Sequence, residues 1–233
     1  MSAPSASVPF AIGPSHRLAQ MRFSQPQVAA QYPSAYGTKR QDRRESSTIL
    51  QALRYIPARA EVLDLPCGTG RLTRLLSEQR YRVTGADVSA EMVARARANY
   101  RDWKSPTKAR APEVRFEVCD VMATQFDTDR FDAIICNRLF HHFTEAATRQ
   151  SALTELNRIS KGPIIVSFFN SFALDAARFW VKHACRRTRP LDRIPISLET
   201  FRRDIAASGL RVSAKIAKHW GISPMWYLVL AAA

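Results

Sequence analysis

Three aspartates and a glycine turn carry the first chemical argument. Residues 61–70 read Glu-Val-Leu-Asp-Leu-Pro-Cys-Gly-Thr-Gly, an apolar stretch that reaches Asp64 and then turns. Asp87 ends a second apolar stretch, Tyr81 to Ala86, and Asp120 follows a third, Val114 to Val118. Acids at the ends of successive strands, with a small-residue turn after the first, are how a doubly wound α/β domain holds a nucleoside. A phosphate-binding loop would read G-x-G-x-x-G or end in G-K-[S/T]; here Gly68-Thr69-Gly70 runs into Arg71-Leu72-Thr73. The loop is therefore tuned for close backbone approach. A carboxylate at Asp64 opposes a pyrophosphate and suits an ammonium group. Asp87 can accept two ribose hydroxyls, and Asp120 suits an exocyclic amine such as that of adenine. Together the acids fit an adenosine that bears an amino acid.

Two histidines add a second candidate chemistry. His141 and His142 follow the apolar stretch Phe131 to Cys136, where a second reactant would sit. Histidine titrates near neutrality, so either is a candidate catalytic base. The plainer reading packs one against the sheet and uses the other to orient the loop.

The elements that must position these groups alternate regularly. A helix over Gln41 to Tyr55 is stopped by Pro57. Strands are expected at Val62–Leu65, Tyr81–Asp87, Val114–Val118, Phe131–Cys136 and Ile164–Phe169. Helices are expected between them at Thr69–Arg80, from an N-cap at Ser89 to about Tyr100, and at Thr144–Ser160. Alternation of this kind implies a parallel sheet with helices on both faces, and a ligand crevice at the carboxyl ends of the strands. Ser171–Arg189 reads as a helix, aromatic and then basic, and Ser197–Ser208 as another with Ser197 as N-cap and Gly209 as stop. Leu210–Trp220 and Met225–Ala231 form a hairpin that adds antiparallel strands to one edge.

The motifs resemble those of the class I S-adenosylmethionine-dependent methyltransferases. VLDLPCGTG (62–70) is similar to that family's first motif, and VTGADVSAEMVARARAN (83–99) to its second. VRFEVCDVM (114–122) resembles the adenine-contacting stretch, FDAIICNRLFHHF (131–143) the fourth strand with its following segment, and SLETFRRDIAASGL (197–210) the late helix and glycine turn. The resemblance spans about residues 45–231. It implies an α/β, Rossmann-like, doubly wound, mostly parallel seven-stranded sheet with an antiparallel C-terminal hairpin, and S-adenosyl-L-methionine as cofactor. It further implies a cofactor site formed by Asp64, Pro66, Cys67, Gly68, Thr69, Gly70, Asp87, Val88, Asp120, Val121, Asn137 and Arg138. Two departures stand out: Pro66 replaces the motif's usual first glycine, and Cys119 stands where glycine often precedes the acid. Neither removes a carboxylate.

Composition bounds the rest. The chain has 233 residues, 46% of them hydrophobic, enough for one well-filled domain. Residues 1–40 are expected to form a flexible tail able to act as a lid, and 41–233 a single domain in which 171–196 is an acceptor-binding insertion. Tyr36 and Arg40 in the lid, Arg44 just after it, and Phe169, Phe172 and Trp180 near the insertion, are the acceptor-side candidates. No zinc-type spacing exists among the four cysteines, so no metal is expected, and reduced thiols point to the cytoplasm. A net charge of +15 favours an anionic partner. The expected acceptor is a small molecule, lipid or glycan precursor methylated at oxygen or nitrogen. RNA is the alternative acceptor, and a non-catalytic cofactor-binding subunit the third reading. The basic amphipathic stretch after Ser171 also suits peripheral contact with an anionic membrane.

Overall fold

The computed structural model describes residues 13–25, 27–28, 30, 39–104, 111–187, 193–216 and 225–233, except the side chains of residues 39–44 and 175. The described elements begin with α1 (Pro14–Phe23) and α2 (Lys39–Leu53). There follow β1 (Glu61–Asp64), α3 (Arg71–Glu78), β2 (Arg82–Asp87), α4 (Ala90–Asp102), β3 (Val114–Val118) and β4 (Ala133–Cys136). After a short 3-10 turn at Phe140–His142 come α5 (Ala146–Ile159), β5 (Ile164–Phe169), α6 (Leu174–Cys185), α7 (Leu198–Ala207), β6 (Leu210–Ile216) and β7 (Met225–Ala232).

Seven strands form one sheet in the order β3-β2-β1-β4-β5-β7-β6. The first five are parallel, and β7 runs antiparallel between β5 and β6. The expected doubly wound sheet with an antiparallel C-terminal hairpin is thus the observed one. Chain order reverses between β1 and β4, and that switch point opens a crevice at the strands' carboxyl ends.

Strand periodicity divides the core between the two faces. Along β4, Ile134 and Cys136 join one buried cluster with Leu153, Leu156 and Ile159 of α5 and Phe201 and Ile205 of α7. Ala133 and Ile135 face the opposite way, into a cluster with Ile49, Ala52 and Leu53 of α2 and Leu72 and Leu76 of α3. Two helices start at the caps expected of them: Ser89 Oγ accepts from the Met92 amide, and Ser197 Oγ from the Thr200 amide, at 3.2 and 3.0 Å. One buried ion pair ties α5 to α7: Arg149 Nε donates to Asp204 Oδ2 at 2.6 Å, with both side chains at most 4% exposed.

The unpatterned stretch at the start of the chain holds a helix, which corrects its reading as a loose tail over residues 14–23. α1 has no side-chain N-cap and no acid in its first turn, so local signals are weak. Tertiary contacts hold it instead. The Gly13 amide donates to Thr148 Oγ1 at 2.9 Å, Ser15 bonds Glu145, and the His16 ring packs edge-on against Phe143.

Candidate active site

The crevice at the switch point is a cleft enclosing about 940 Å³ free of protein atoms, part of it open to solvent. Its floor is the turn after β1. The Leu65–Pro66 bond is cis, and the Cys67 amide donates to the Ala86 carbonyl at 2.7 Å, which lashes the turn to β2. Gly68 and Gly70 adopt φ of 53° and 82°. A Cβ on Gly70 would lie 3.1 Å from Cβ of Ala96, so glycine there permits both the left-handed turn and the close approach of α4.

Asp64 is fully buried at the bottom of this cleft. Its Oδ2 accepts from Thr73 Oγ1 at 2.6 Å, while Oδ1 has no partner in the protein. Burial pushes its carboxyl up to about 7, with the neighbouring Asp87 charge adding to the rise against the Thr73 hydrogen bond. A buried carboxylate oxygen without a donor is costly unless a ligand supplies one, and a cationic donor supplies it best.

Asp87 ends β2 with one oxygen accepting from the Gly68 amide at 2.9 Å and the other from the Ser89 amide at 3.0 Å. Burial raises it to about 6 in spite of those bonds. Each oxygen keeps a second lone pair, so the carboxylate is oriented and still able to accept two hydroxyls. Asp120, after β3, accepts from the Met122 amide at Oδ1, and at Oδ2 from Gln20 at 2.7 Å and His16 at 3.0 Å. Burial works to raise Asp120, but the hydrogen bonds from His16, Met122 and Gln20 prevail and hold it below the usual carboxylate range.

Asn137 and Arg138 leave β4 on the other side of the switch. Asn137 Oδ1 accepts from Ser167 Oγ and the Tyr227 hydroxyl at 3.0 and 3.1 Å, and its amide donates to Glu45 Oε1 at 2.8 Å. Glu45 also pairs with Arg138 and Arg71 at 2.6 and 2.8 Å. Burial would raise this glutamate, yet the two guanidiniums outweigh it and keep it ionised below its ordinary range. The cleft is thus lined by two oriented cations, Arg71 and Arg138, beside Asp64.

The structure brings together Asp64, Pro66, Cys67, Gly68, Thr69, Asp87, Val88, Asp120, Val121, Asn137 and Arg138 along one cleft; Gly70 shapes the turn beneath it. The two histidines part company. His142 lines the cleft, with the Phe23 ring of α1 edge-on at 5.2 Å. His141 lies behind it, stacked on Phe169 at 4.3 Å, with Nδ1 buried and lacking a partner. Burial, followed by the charges of His142, Arg193 and Arg138, holds His141 well below its ordinary range, so it is neutral. Phe172 and Trp180 point to solvent rather than into the cleft. Tyr36 lies outside the described residues. Arg40 and Arg44 fall on the first turns of α2, with side chains outside them.

Sequence reasoning missed Glu45, Arg71, His16, Gln20 and Phe23. Two signals could have found all of these but Arg71. Glu45 shares a helix face with Thr48, Ile49 and Ala52, all buried, so it is an acid on the inward stripe. His16, Ala19, Gln20 and Phe23 have the same i, i+3, i+4, i+7 spacing, and all four line the cleft.

Residues 62–162 match the family model described as a methyltransferase domain. Over that stretch, less than half of the chain, the sequence is similar to methyltransferase domains. The chain is 32% identical over 92 residues to an uncharacterized methyltransferase of Mycobacterium tuberculosis, covering 40% of this chain and 42% of that protein. It is 37% identical over 110 residues to a demethylmenaquinone methyltransferase of Thermus thermophilus, covering 46% and 44%. The chain therefore aligns with less than half the length of these curated relatives. In fold it is similar to a magnesium protoporphyrin IX methyltransferase from Synechocystis solved with bound S-adenosylhomocysteine. The TM-score is 0.73 at 16% identity, over 93% of this chain and 99% of that one.

Proposed function

We propose that this chain is a methyltransferase that binds S-adenosyl-L-methionine in the cleft and methylates an oxygen or nitrogen of a small molecule, lipid or glycan precursor. One observation carries the reading: a buried carboxylate oxygen of Asp64 with no protein donor lines the same cleft as Asp87 and Asp120. The residues fit the cofactor group by group. Asp64 takes the ammonium, Arg71 and Arg138 the carboxylate, Asp87 the ribose hydroxyls, and Asp120 with the Val121 amide the adenine edge. Bound there, the cofactor supplies a methyl group activated by its sulfonium charge.

The protein's own contribution is alignment, desolvation and proton handling. Asn137 is locked from three sides by Ser167, Tyr227 and Glu45, so the wall beside the reacting groups is rigid. Phe23 and Phe143 line the cleft with His142, the Phe23 ring edge-on to it at 5.2 Å, and shield it from water. His142 takes the acceptor's proton on its ring nitrogen where the acceptor must lose one, and His141, held neutral on Phe169, fixes the His142 ring. The demethylmenaquinone relative acts on a small lipid-like acceptor by its name, which supports this acceptor class over RNA.

The test uses purified full chain, labelled cofactor and fractionated cell extract. Label should appear in a small-molecule or lipid fraction. Label confined to total RNA would move the acceptor to the alternative, and cofactor binding without transfer to any fraction would leave a non-catalytic subunit. His142→Ala should lower turnover about 100-fold with unchanged cofactor affinity, within the usual range for losing a general base.

A further inference from the structure

Helix α6 has two faces, and the fold uses only one. Ala176 is buried and Phe179 and His183 partly so, with their rings 4.6 Å apart, and this seam seats the helix on the domain. Leu174, Ala177, Val181 and Ala184, spaced i, i+3, i+7, i+10, are all exposed, Leu174 at 60% and Val181 at 62%. Trp180 flanks this stripe, and Phe172 protrudes just before the helix at 80% exposure. Nine large hydrophobic side chains are exposed among the described residues, and four of them fall within Phe172–Val181, so this is a patch and not scatter. Arg178, Lys182 and Arg186, spaced i, i+4, i+8 and all exposed, run as a row beside the apolar stripe.

Charge selects the occupant. A second copy of the chain would bring +15 against +15. Nucleic acid would satisfy the basic row but leave Leu174 and Val181 against phosphate and water. A bilayer with anionic headgroups satisfies both, because its apolar interior lies just beneath its charged surface. We propose that α6, together with Phe172, is a docking surface for an anionic lipid membrane. No helix among the described residues is long and apolar enough to cross a membrane, so the helix lies in the headgroup plane. The docking does not depend on the proposed transfer chemistry.

Co-sedimentation of the full chain with phosphatidylcholine vesicles, with and without phosphatidylglycerol, tests this. Binding should require the anionic lipid and weaken as salt rises. Lys182→Glu with Arg186→Glu should reduce partitioning more than about 25-fold, since each basic residue near such a surface contributes roughly fivefold. Leu174→Ser with Val181→Ser is the decisive pair. A chain this basic adsorbs to anionic vesicles by charge alone, and only an inserted stripe makes those two residues matter; the expected loss is about tenfold or more. A Trp180 emission shift to the blue on vesicle addition, lost in Trp180→Phe, should accompany binding. Equal binding to pure phosphatidylcholine, or undiminished binding by the serine variant, overturns the proposal. So does a dimer in ultracentrifugation that the serine variant dissolves, because the patch is then an interface between copies. Unchanged melting temperature and S-adenosylhomocysteine affinity in each variant show that the fold and the cofactor site are intact, which separates this result from the fate of the proposed activity.

Discussion

The two sides of the switch region are built on opposite principles. On the cofactor side, every acid is buried or half-buried and fixed by protein donors: Asp87 by two backbone amides, Asp120 by three donors, Glu45 by two arginines and an amide. Among the described residues, Asp64 Oδ1 is the one buried carboxylate oxygen here with no partner. Beyond β5, the α6 segment rests on a narrow seam and shows apolar side chains to solvent. The first side is preorganised for a ligand of fixed shape, where any loose group would cost affinity. The second is specified by little inside the chain, as a surface is when its partner lies outside.

The contrast can be broken experimentally, beginning with the frame beneath both sides. Asp204→Ala leaves the Arg149 guanidinium buried between α5 and α7 without its partner, and should lower stability by about 3–5 kcal/mol in urea unfolding. A loss below about 1 kcal/mol would mean the helices are not held by this pair.

Within the preorganised side, Asp87→Ala removes both the ribose acceptor and the partner of the Gly68 amide. S-adenosylhomocysteine affinity should fall about 100-fold by calorimetry, or about 2.7 kcal/mol. Wild-type-like affinity in this variant would remove Asp87 from the site.

The acids also set a pH signature. Asp64 and Asp87 have carboxyls raised to about 7 and about 6, above their ordinary 3.8, so the folded chain holds these protons more tightly than the unfolded one. Their contribution to stability is therefore present at low pH and is lost as pH rises from about 4 through 6 to 7. A bound ammonium group reverses the preference, because it needs ionised Asp64. Cofactor affinity should rise by up to about tenfold per unit as pH climbs toward 7, then level off. Asp64→Asn should bind weakly and flatten the profile; a profile unchanged in that variant would place the titration elsewhere.

The smallest effect belongs to the open side. Trp180→Ala, on the exposed flank of α6, should change stability by less than about 0.5 kcal/mol and leave cofactor affinity unaltered. A large loss of either would show that α6 belongs to the cofactor scaffold after all.

Much of this was legible in the residues. Apolar runs ending in Asp64, Asp87 and Asp120, glycines at 68 and 70, and N-caps at Ser89 and Ser197 are local signals: each depends on a strand end, a turn or a helix start that a few neighbours define. They determined the sheet, the order of its elements and most of the cofactor cleft. Tertiary structure alone decided the rest. α1 carries weak local signals and is ordered by contacts with residues a hundred or more positions away. Glu45 reads as one acid among basic neighbours, and only the folding of α2 onto the domain brings it to the cleft-lining Asn137, Arg138 and Arg71. Adjacent in sequence, His141 and His142 become a neutral spacer and a cleft-lining side chain because a 3-10 turn sends one ring to Phe169 and the other into the cleft beside Phe23. The physical reason is the same in each case: a side chain's chemistry is encoded in its type, but its exposure, partners and proton are set by whatever distant element packs against it.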